Sequence, residues 1–196
     1  MAECLVTAAR PGTLELAVQA RRTEAAPAPR VVVIQAIPKG DRAELAVEIM
    51  TEVGVDAIVP WQAERCVAKW RPDRAGKAVA RWRATAREAA KQSRRAWLPE
   101  VSEPAGTGEV ARLVSAASLG LVLDPAAARP LTAIRMPGQG DIILIVGPEG
   151  GISPGEHRAL AAAGAVGARL GPSVLRASSA GAVAGALVLS GCGRWA

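Results

Sequence analysis

The chain has 196 residues, half of them hydrophobic, which is enough to bury one substantial core and a small second unit. Its 24 basic and 18 acidic residues leave a net charge of +6, which favours a polyanionic partner only where the charges cluster on one face. No apolar run reaches the roughly 18 to 20 residues of a membrane span, and the amino terminus has no basic-then-apolar signal segment. We therefore expect a cytoplasmic protein that does not contact a membrane.

Cysteine and histidine usage argues against a metal site. Cys4, Cys66 and Cys192 lie far apart and form no CxxC pair, and His157 is the single histidine of the chain. A zinc site needs several such ligands at short spacing. We expect reduced thiols, and we expect His157 to be exposed on a solvated helix rather than to act as a base.

The first third of the chain changes pattern near residue 30. The alternating stretch GTLELAVQA (12–20) predicts a half-buried strand, and TEAAPAPR (23–30) is typical of an extended connector. VVVIQAI (31–37) is apolar on both faces, which predicts a central parallel strand. GDRAELAVEIMTEVG (40–54) has the apolar spacing of a helix and ends on glycine.

The same alternation of strand and helix continues through the middle of the chain. VDAIVP (55–60) predicts a second strand of this alternating series, and RAGKAVARWRATAREAAKQSRR (74–95) predicts a long helix. A short helix is expected near Glu109–Leu113. LGLVLD (119–124) and DIILIVG (141–147) are the next two predicted strands.

The last fifty residues complete the pattern. SPGEHRALAAAGA (153–165) predicts a helix with Ser153 as N-cap, Pro154 at the first helical position and Glu156 three residues after the cap, which is a capping box. VGARLG (166–171) predicts a fifth strand, and SSAGAVAGALVLS (178–190) predicts an apolar final helix. Strands that alternate with helices predict an α/β fold with a mostly parallel sheet.

Three of the predicted strands end in unusual turns, LVLDPAA, IVGPEGG and RLGPSVLR. Ligands of parallel sheets bind beyond the carboxyl ends of the strands, so we expect the three turns to form one pocket. Glycine permits backbone conformations that are closed to other residues, and proline stiffens a turn; the residues concerned are Gly147, Gly150, Gly151, Gly171, Pro148 and Pro172. For any single turn, simple strand termination is the alternative. Neither GxGxxG after the first strand of the series nor GxxxxGK[ST] occurs, which argues against a dinucleotide site and a P-loop.

Four segments together resemble a known family. VVVIQAIPKGDRAELAVEIMTEVGVDAIVPWQAERCV, REAAKQSRRAWLPEV, IVGPEGGIS and RLGPSVLRASSA, in this order, are similar to the RsmE family of 16S ribosomal RNA uracil-N3 methyltransferases. The resemblance covers roughly residues 29–192. The GPEGG turn and the LGxxxLR segment before the last helix are its most specific parts.

The resemblance implies a fold, a cofactor and an assembly. It implies an α/β SPOUT domain at residues 29–196, with a mostly parallel sheet and a carboxyl-terminal trefoil knot, an exception to the rule that chains are not knotted. Residues 1–28 would be a truncated remnant of a PUA-like β-barrel with a linker. The family further implies S-adenosylmethionine in the knot, 16S ribosomal RNA or the small ribosomal subunit as partner, and a homodimer.

The resemblance also implies which residues hold the cofactor. The strand ends and the turns after them would form the walls, with the contacts at Leu123, Val146, Gly147, Glu149, Gly150, Leu170, Gly171, Leu175 and Ala180. Apolar side chains and backbone amides of the last turn would hold the adenine ring. Glu149 either faces the cofactor or ties its loop down by accepting backbone hydrogen bonds.

Methylation of uracil N3 requires loss of the N3 proton and stabilisation of the resulting negative charge. Arg176, in VLRASS, is the candidate catalytic residue because it presents a permanently charged planar donor group. The alternative is a structural salt bridge at a helix start. Many relatives have Leu-Arg-Thr-Glu-Thr-Ala where this chain has LRASSA, so Ser178 replaces a carboxylate, although Ser178 and Ser179 can cap the last helix. A non-catalytic RNA-binding protein, or a methyltransferase with another RNA target, therefore remains an alternative.

Charge spacing predicts an RNA-binding face on the long helix. Arg83, Arg87, Lys91 and Arg95 recur every four residues, which places them along one face, and Gln92 and Arg94 lie beside them. An ordinary solvated face is the alternative. Trp82 and Trp97 flank the face and either stack on bases or lie in the core. Arg65, in ERCV, is a further candidate RNA contact.

Overall fold

A small antiparallel hairpin begins the fold. The computed structural model describes residues 1–40 and 42–195. Strands β1 (Ala2–Arg10) and β2 (Thr13–Arg21) form a two-stranded sheet. The prediction of a strand at 12–20 is confirmed, but its half-burial is wrong, since Leu14 and Leu16 are exposed.

The rest of the chain is built on one parallel sheet. Its strands, in the spatial order β5-β4-β3-β7-β6-β8, are all paired in parallel. The bounds are β3 (Arg30–Ala36), β4 (Ala57–Trp61), β5 (Glu100–Val101), β6 (Leu119–Leu123), β7 (Asp141–Val146) and β8 (Val166–Ala168). The predicted mostly parallel α/β architecture is confirmed.

Strand β3 shows why the sheet is buried on both faces. Val31 and Val33 belong to one core cluster, whereas Val32 and Ile34 belong to the other. Successive side chains of a strand point to opposite faces, so only a continuous apolar run fills both cores. β3 lies between β4 and β7, which confirms the predicted central strand.

Within residues 1–40 and 42–195, five α-helices form the two outer layers. They are α1 (Arg42–Val53), α2 (Pro72–Gln92), α3 (Thr107–Ala116), α4 (Pro154–Ala162) and α5 (Ala177–Gly191), with a short 3-10 helix at Leu131–Ala133. Residues of α1, α2 and α5 belong to one core cluster, and residues of α3 and α4 to the other. In the described part of the chain, no helix combines the length and apolarity needed to cross a bilayer.

The long helix α2 ends three residues before the predicted boundary. It begins with proline in its first turn, and Ser93 is its C-cap. Arg94 then adopts φ +56°, a left-handed conformation that ends a helix. The prediction that Arg95 continues the helical face is therefore wrong.

A buried ion cluster ties the amino end of the sheet to the end of the chain. Asp56, directly before β4, accepts a 2.8 Å hydrogen bond from the Val31 N–H and binds the guanidinium of Arg194. Arg95 lies 3.5 Å from Asp56 and donates to the Val55 carbonyl at 2.6 Å, near the carboxyl end of α1. Burial lowers the pKa of the Arg95 guanidinium, and the Asp56 carboxylate opposes that shift.

Candidate functional site

A cavity of about 520 Å³ opens beyond the carboxyl ends of β6, β7 and β8. Its walls come from the three turns that the sequence singles out, after Leu123, Val146 and Ala168. The sheet brings them together because parallel neighbours present their carboxyl ends at one edge. The volume falls in the range of small-molecule sites.

The GPEGG loop, Gly147–Gly151, is held by a tight turn and a close contact. Gly151 has φ +74°, and its N–H donates to the Pro148 carbonyl at 2.9 Å. A Cβ on Gly150 would lie 3.2 Å from the Cβ and 3.3 Å from the carbonyl oxygen of Arg65. Space, rather than dihedral freedom, thus favours glycine at position 150.

Gly151 uses the conformational freedom of glycine, but the other three turn glycines do not. Gly147, Gly150 and Gly171 lie outside the left-handed region. A Cβ on Gly147 would lie 2.7 Å from Ile152 Cγ1, so this glycine also answers a packing constraint. A Cβ on Gly171 would meet nothing within 4 Å, which leaves room for an occupant beside it.

The cavity collects the residues proposed to hold a cofactor, with one exception. Gly150 faces the Arg65 segment and does not line it. Glu149 is exposed and lines the cavity, which favours a role toward the occupant over one in tying down the loop. The lining residues among those predicted are Leu123, Val146, Gly147, Glu149, Leu170, Gly171, Leu175 and Ala180.

Three ionisable lining residues are not among the predicted site residues. Asp124 follows β6, Arg169 follows β8, and His157 lies in the first turns of α4. The expectation of an exposed His157 is wrong, because the start of α4 lies against the cavity and leaves this side chain half-buried. Asp124 and Arg169 directly follow strands, and that position is the sequence signal that could have identified them.

Arg176 stands at the N-cap of α5 and lines the cavity. It is exposed, and no side chain caps this helix. The suggestion that Ser178 or Ser179 caps the helix is therefore wrong. The exposed guanidinium of Arg176 is available to a ligand in the cavity.

Glu156 ties the start of α4 to two other segments. The predicted capping box with Ser153 is present, and the Ser153 N–H lies 2.9 Å from Glu156 Oε2. Oε1 accepts from the Glu64 N–H at 2.8 Å and from the Thr107 hydroxyl at 3.1 Å. Burial alone would raise the pKa of this carboxyl, but the hydrogen bonds from Glu64, Ser153 and Thr107 outweigh it and lower the pKa below its usual value.

The predicted RNA contacts form two groups, and one predicted contact, Arg95, is wrong. Arg65 lies beside the GPEGG loop and donates to the Gly150 carbonyl at 3.3 Å. On and just after α2, exposed side chains form a second group: Arg83, Arg87, Lys91, Gln92 and Arg94. Arg95 is not available to RNA, because its guanidinium is turned inward to the ion cluster.

Intramolecular pairs already engage part of the α2 face. Arg83 pairs with Glu103 at 3.0 Å and Lys91 with Glu88 at 2.7 Å. Of the two tryptophans, Trp82 is 1% exposed, so base stacking by this residue is excluded. Trp97 is 45% exposed and donates from Nε1 to the Ala25 carbonyl at 3.0 Å.

Comparisons with known proteins agree on one family. A family model described as "RNA methyltransferase domain" matches residues 25–189. Ribosomal RNA small subunit methyltransferase E of Mycobacterium bovis is 46% identical over 188 residues, which cover 94% of this chain and 72% of that protein. The protein of the same name in Bacillus subtilis is 30% identical, over 77% of this chain and 62% of its own length. The crystal structure of that enzyme from Neisseria gonorrhoeae, bound to S-adenosyl methionine, superposes with a TM-score of 0.84 at 30% identity and covers 95% of this chain and 77% of its own.

Proposed function

This chain belongs to the ribosomal RNA small subunit methyltransferase E family, and on that basis we propose that it transfers a methyl group from S-adenosylmethionine to N3 of a uridine in 16S ribosomal RNA. The observation that carries the proposal is the cavity formed by the three strand-end turns. The similarity to a structure that contains S-adenosyl methionine supports it.

The residues that line the cavity fit this cofactor. Leu123, Leu170 and Leu175 supply apolar walls suited to an adenine ring. Asp124 and Glu149 supply acceptors for hydroxyl and ammonium groups. When bound, S-adenosylmethionine supplies a methyl group attached to a positively charged sulfur. After the transfer, that sulfur is a neutral thioether.

The same cavity holds the groups that uracil chemistry requires. Arg176 donates hydrogen bonds to a uracil carbonyl oxygen, where negative charge develops once N3 loses its proton. Asp124, Glu149 and His157 are groups able to accept that proton. Serine at position 178 thus does not leave the cavity without a base, which favours the enzyme over a non-catalytic RNA-binding protein.

RNA contacts are assigned to the two basic groups outside the cavity. Arg65 contacts the GPEGG loop and serves RNA near the reacting base. The exposed group on and after α2 neutralises phosphates farther away, with contacts from Arg83, Arg87, Lys91, Gln92 and Arg94.

The family resemblance supports a fuller architecture. Residues 1–28 form a PUA-like β unit and its linker, and residues 29–196 form a SPOUT domain whose carboxyl-terminal part is threaded as a trefoil knot. The protein works as a homodimer in the cytoplasm, and its partner is 16S ribosomal RNA or the small ribosomal subunit.

Mapping of methylated nucleotides in ribosomal RNA tests the activity. We expect one N3-methyluridine in 16S ribosomal RNA to disappear when the gene is deleted and to return when the gene is restored. Methylation of another base or of a ribose would show a different target. RNA binding by the purified protein with no methyl transfer would show a binding protein instead.

A further inference from the structure

The Glu156 carboxylate lies where three segments of the fold meet. It is 5% exposed, and its two oxygens accept hydrogen bonds from the Ser153 N–H, the Glu64 N–H and the Thr107 hydroxyl. These donors come from the N-cap of α4, shortly after the GPEGG loop, from the segment after β4 and from the first residue of α3. A capping box needs only the bond to Ser153. The other two bonds therefore require a separate explanation.

The segment after β4 also contacts the GPEGG loop itself. One residue beyond Glu64, Arg65 donates from Nη1 to the Gly150 carbonyl at 3.3 Å. Backbone and Cβ of Arg65 also approach Gly150 so closely that a side chain there would be crowded. The segment after β4 is thus fixed to the start of α4 by Glu156 and to the GPEGG loop by Gly150.

The charge state of Glu156 makes this junction specific for a carboxylate. Its pKa lies below the usual value because the three donors together outweigh the effect of burial. A carboxylate accepts at both oxygens, whereas the glutamine amide accepts at one oxygen and presents N–H groups at the other end. An isosteric glutamine must therefore abandon either the Ser153 N–H or the Glu64 N–H.

We propose that Glu156 is a positioning residue that makes cofactor binding and RNA binding cooperative. On one side of the junction the GPEGG loop borders the cavity, and on the other side Arg65 is exposed to RNA. A ligand that orders the loop orders the Arg65 segment with it, so a second ligand has less ordering to do. This inference rests on the proposed function, since it takes the cavity as the cofactor site and Arg65 as an RNA contact.

The test measures how each ligand changes the affinity for the other. The probes are S-adenosylhomocysteine, which carries no methyl group to transfer, and small ribosomal subunits from a strain that lacks the gene. We expect each ligand to strengthen binding of the other by the same factor, about fivefold or more, since coupling is reciprocal. In Glu156→Gln we expect that factor to fall to about one, while each ligand alone still binds.

Ser153→Ala is the matched control. It removes the 3.3 Å bond from the Glu156 N–H to the Ser153 hydroxyl and weakens the helix cap, but it leaves the carboxylate with its three donors. We expect lower stability with unchanged coupling. Loss of coupling in this variant as well would assign the effect to the cap and overturn the proposal.

Thr107→Val is a second variant that tests the coupling, and it remains informative if Glu156→Gln does not fold. It removes one donor to Oε1, together with the acceptor of the 3.3 Å hydrogen bond from Trp61 Nε1, and it changes neither the loop nor Arg65. A reduced coupling factor supports the proposal, and a factor equal to that of the wild-type protein overturns it. Wild-type protein that methylates RNA without coupling contradicts this inference alone, whereas protein that transfers no methyl group contradicts the proposed function.

Discussion

Arg176 is the side chain whose substitution best separates chemistry from folding. It lines the cavity at the N-cap of α5, and its side chain is exposed. Its removal therefore takes little from the stability of the fold. The alternative of a structural salt bridge would make stability and activity fall together.

We expect Arg176→Ala to slow methyl transfer by about 100- to 1000-fold, the usual effect of losing one donor aimed at developing charge. Arg176→Lys keeps the charge but loses the planar pair of donors, so its rate should lie between the rates of the wild-type protein and of Arg176→Ala. Single-turnover methylation at saturating cofactor and RNA measures the effect. A near-normal rate together with a lowered melting temperature would make Arg176 a structural residue.

Gly171→Val tests the position of the cofactor. A Cβ at this position meets nothing within 4 Å, so we expect the variant to fold and its side chain to occupy space that the cofactor needs. In the wild-type protein, S-adenosylmethionine at about 100 times its dissociation constant should add about 2.7 kcal/mol to the free energy of unfolding. In the variant that gain should vanish in a thermal-shift measurement.

Gly138→Val is the control for this experiment. Its Cβ also meets nothing within 4 Å, but it lies in the loop before β7 and does not line the cavity. We expect it to retain the full stabilisation by the cofactor. Equal stabilisation of the Gly171 variant would place the cofactor elsewhere.

Single residues of the site could be predicted only where the sequence itself marks a turn. The GPEGG motif and the residues that follow strands identify most of the cavity wall, because turn residues are visible in a sequence. His157 could not be assigned in this way, since the side of α4 that meets the cavity depends on how the helix packs. The reason for Gly150 was equally hidden, because it is the approach of Arg65, eighty-five positions earlier.

At the scale of elements, the basic side chains on the exposed surface of α2 differ in whether they are paired with acidic side chains. Arg83 and Lys91 are paired with acidic side chains, whereas Arg87 and Arg94 form no ion pair with any residue that the structure describes. Exposed pairs of this kind contribute little to stability, so their breakage by RNA phosphates costs little. Arg87 lies on the helix itself and contacts phosphates without breaking any pair, so we expect the largest effect on RNA binding there.

We expect charge reversal at Arg87 and Lys91 to weaken RNA binding while cofactor affinity stays unchanged. Each lost phosphate contact should also reduce the slope of log affinity against log salt concentration by somewhat under one. Titration of RNA at several salt concentrations measures both quantities. An unchanged slope would mean that this face is only solvated.

Arg112→Glu is the matched reversal for that experiment. Arg112 is exposed on α3, which packs on the opposite face of the sheet from α2. We expect it to alter RNA affinity less than reversal at Arg87 does. A comparable loss would show that net charge, rather than the α2 face, controls binding.

Elements with strong local patterns could be predicted from the sequence, and elements defined by partners could not. The continuous apolar run of β3 and the capping box of α4 identify themselves. Strand β5 has only two residues and exists because it pairs with β4. The end of α2 depends on Arg94 in a left-handed conformation, which is uncommon for arginine and has no composition signal.

At the scale of the whole molecule, the Asp56 cluster joins distant parts of the chain. Asp56 is 6% exposed and compensates two guanidinium groups, Arg95 and Arg194. We expect Asp56→Ala to lower the free energy of unfolding by about 3–5 kcal/mol, since it leaves buried charges unpaired. Denaturant unfolding measures the loss, and methyl transfer per folded molecule should be unchanged.

An exposed acid provides the comparison for this prediction. Asp73 is 71% exposed and lies 3.8 Å from Arg74, so Asp73→Ala should cost much less. Equal losses in the two variants would show that the cluster is not a special source of stability. Reduced activity per folded Asp56→Ala molecule would show that the cluster also reaches the site.

The parallel strands place this cluster and the cavity at opposite ends of the sheet. β3 has seven residues, so the two lie on the order of 20 Å apart. Substitutions that far apart, with no shared partners, usually have additive effects on stability. Natural selection can therefore act on the two ends almost separately. The RNA preference can therefore change through the turns at one end without loss of the stability that the other end contributes. Compensating mutations should arise within one end rather than across the sheet.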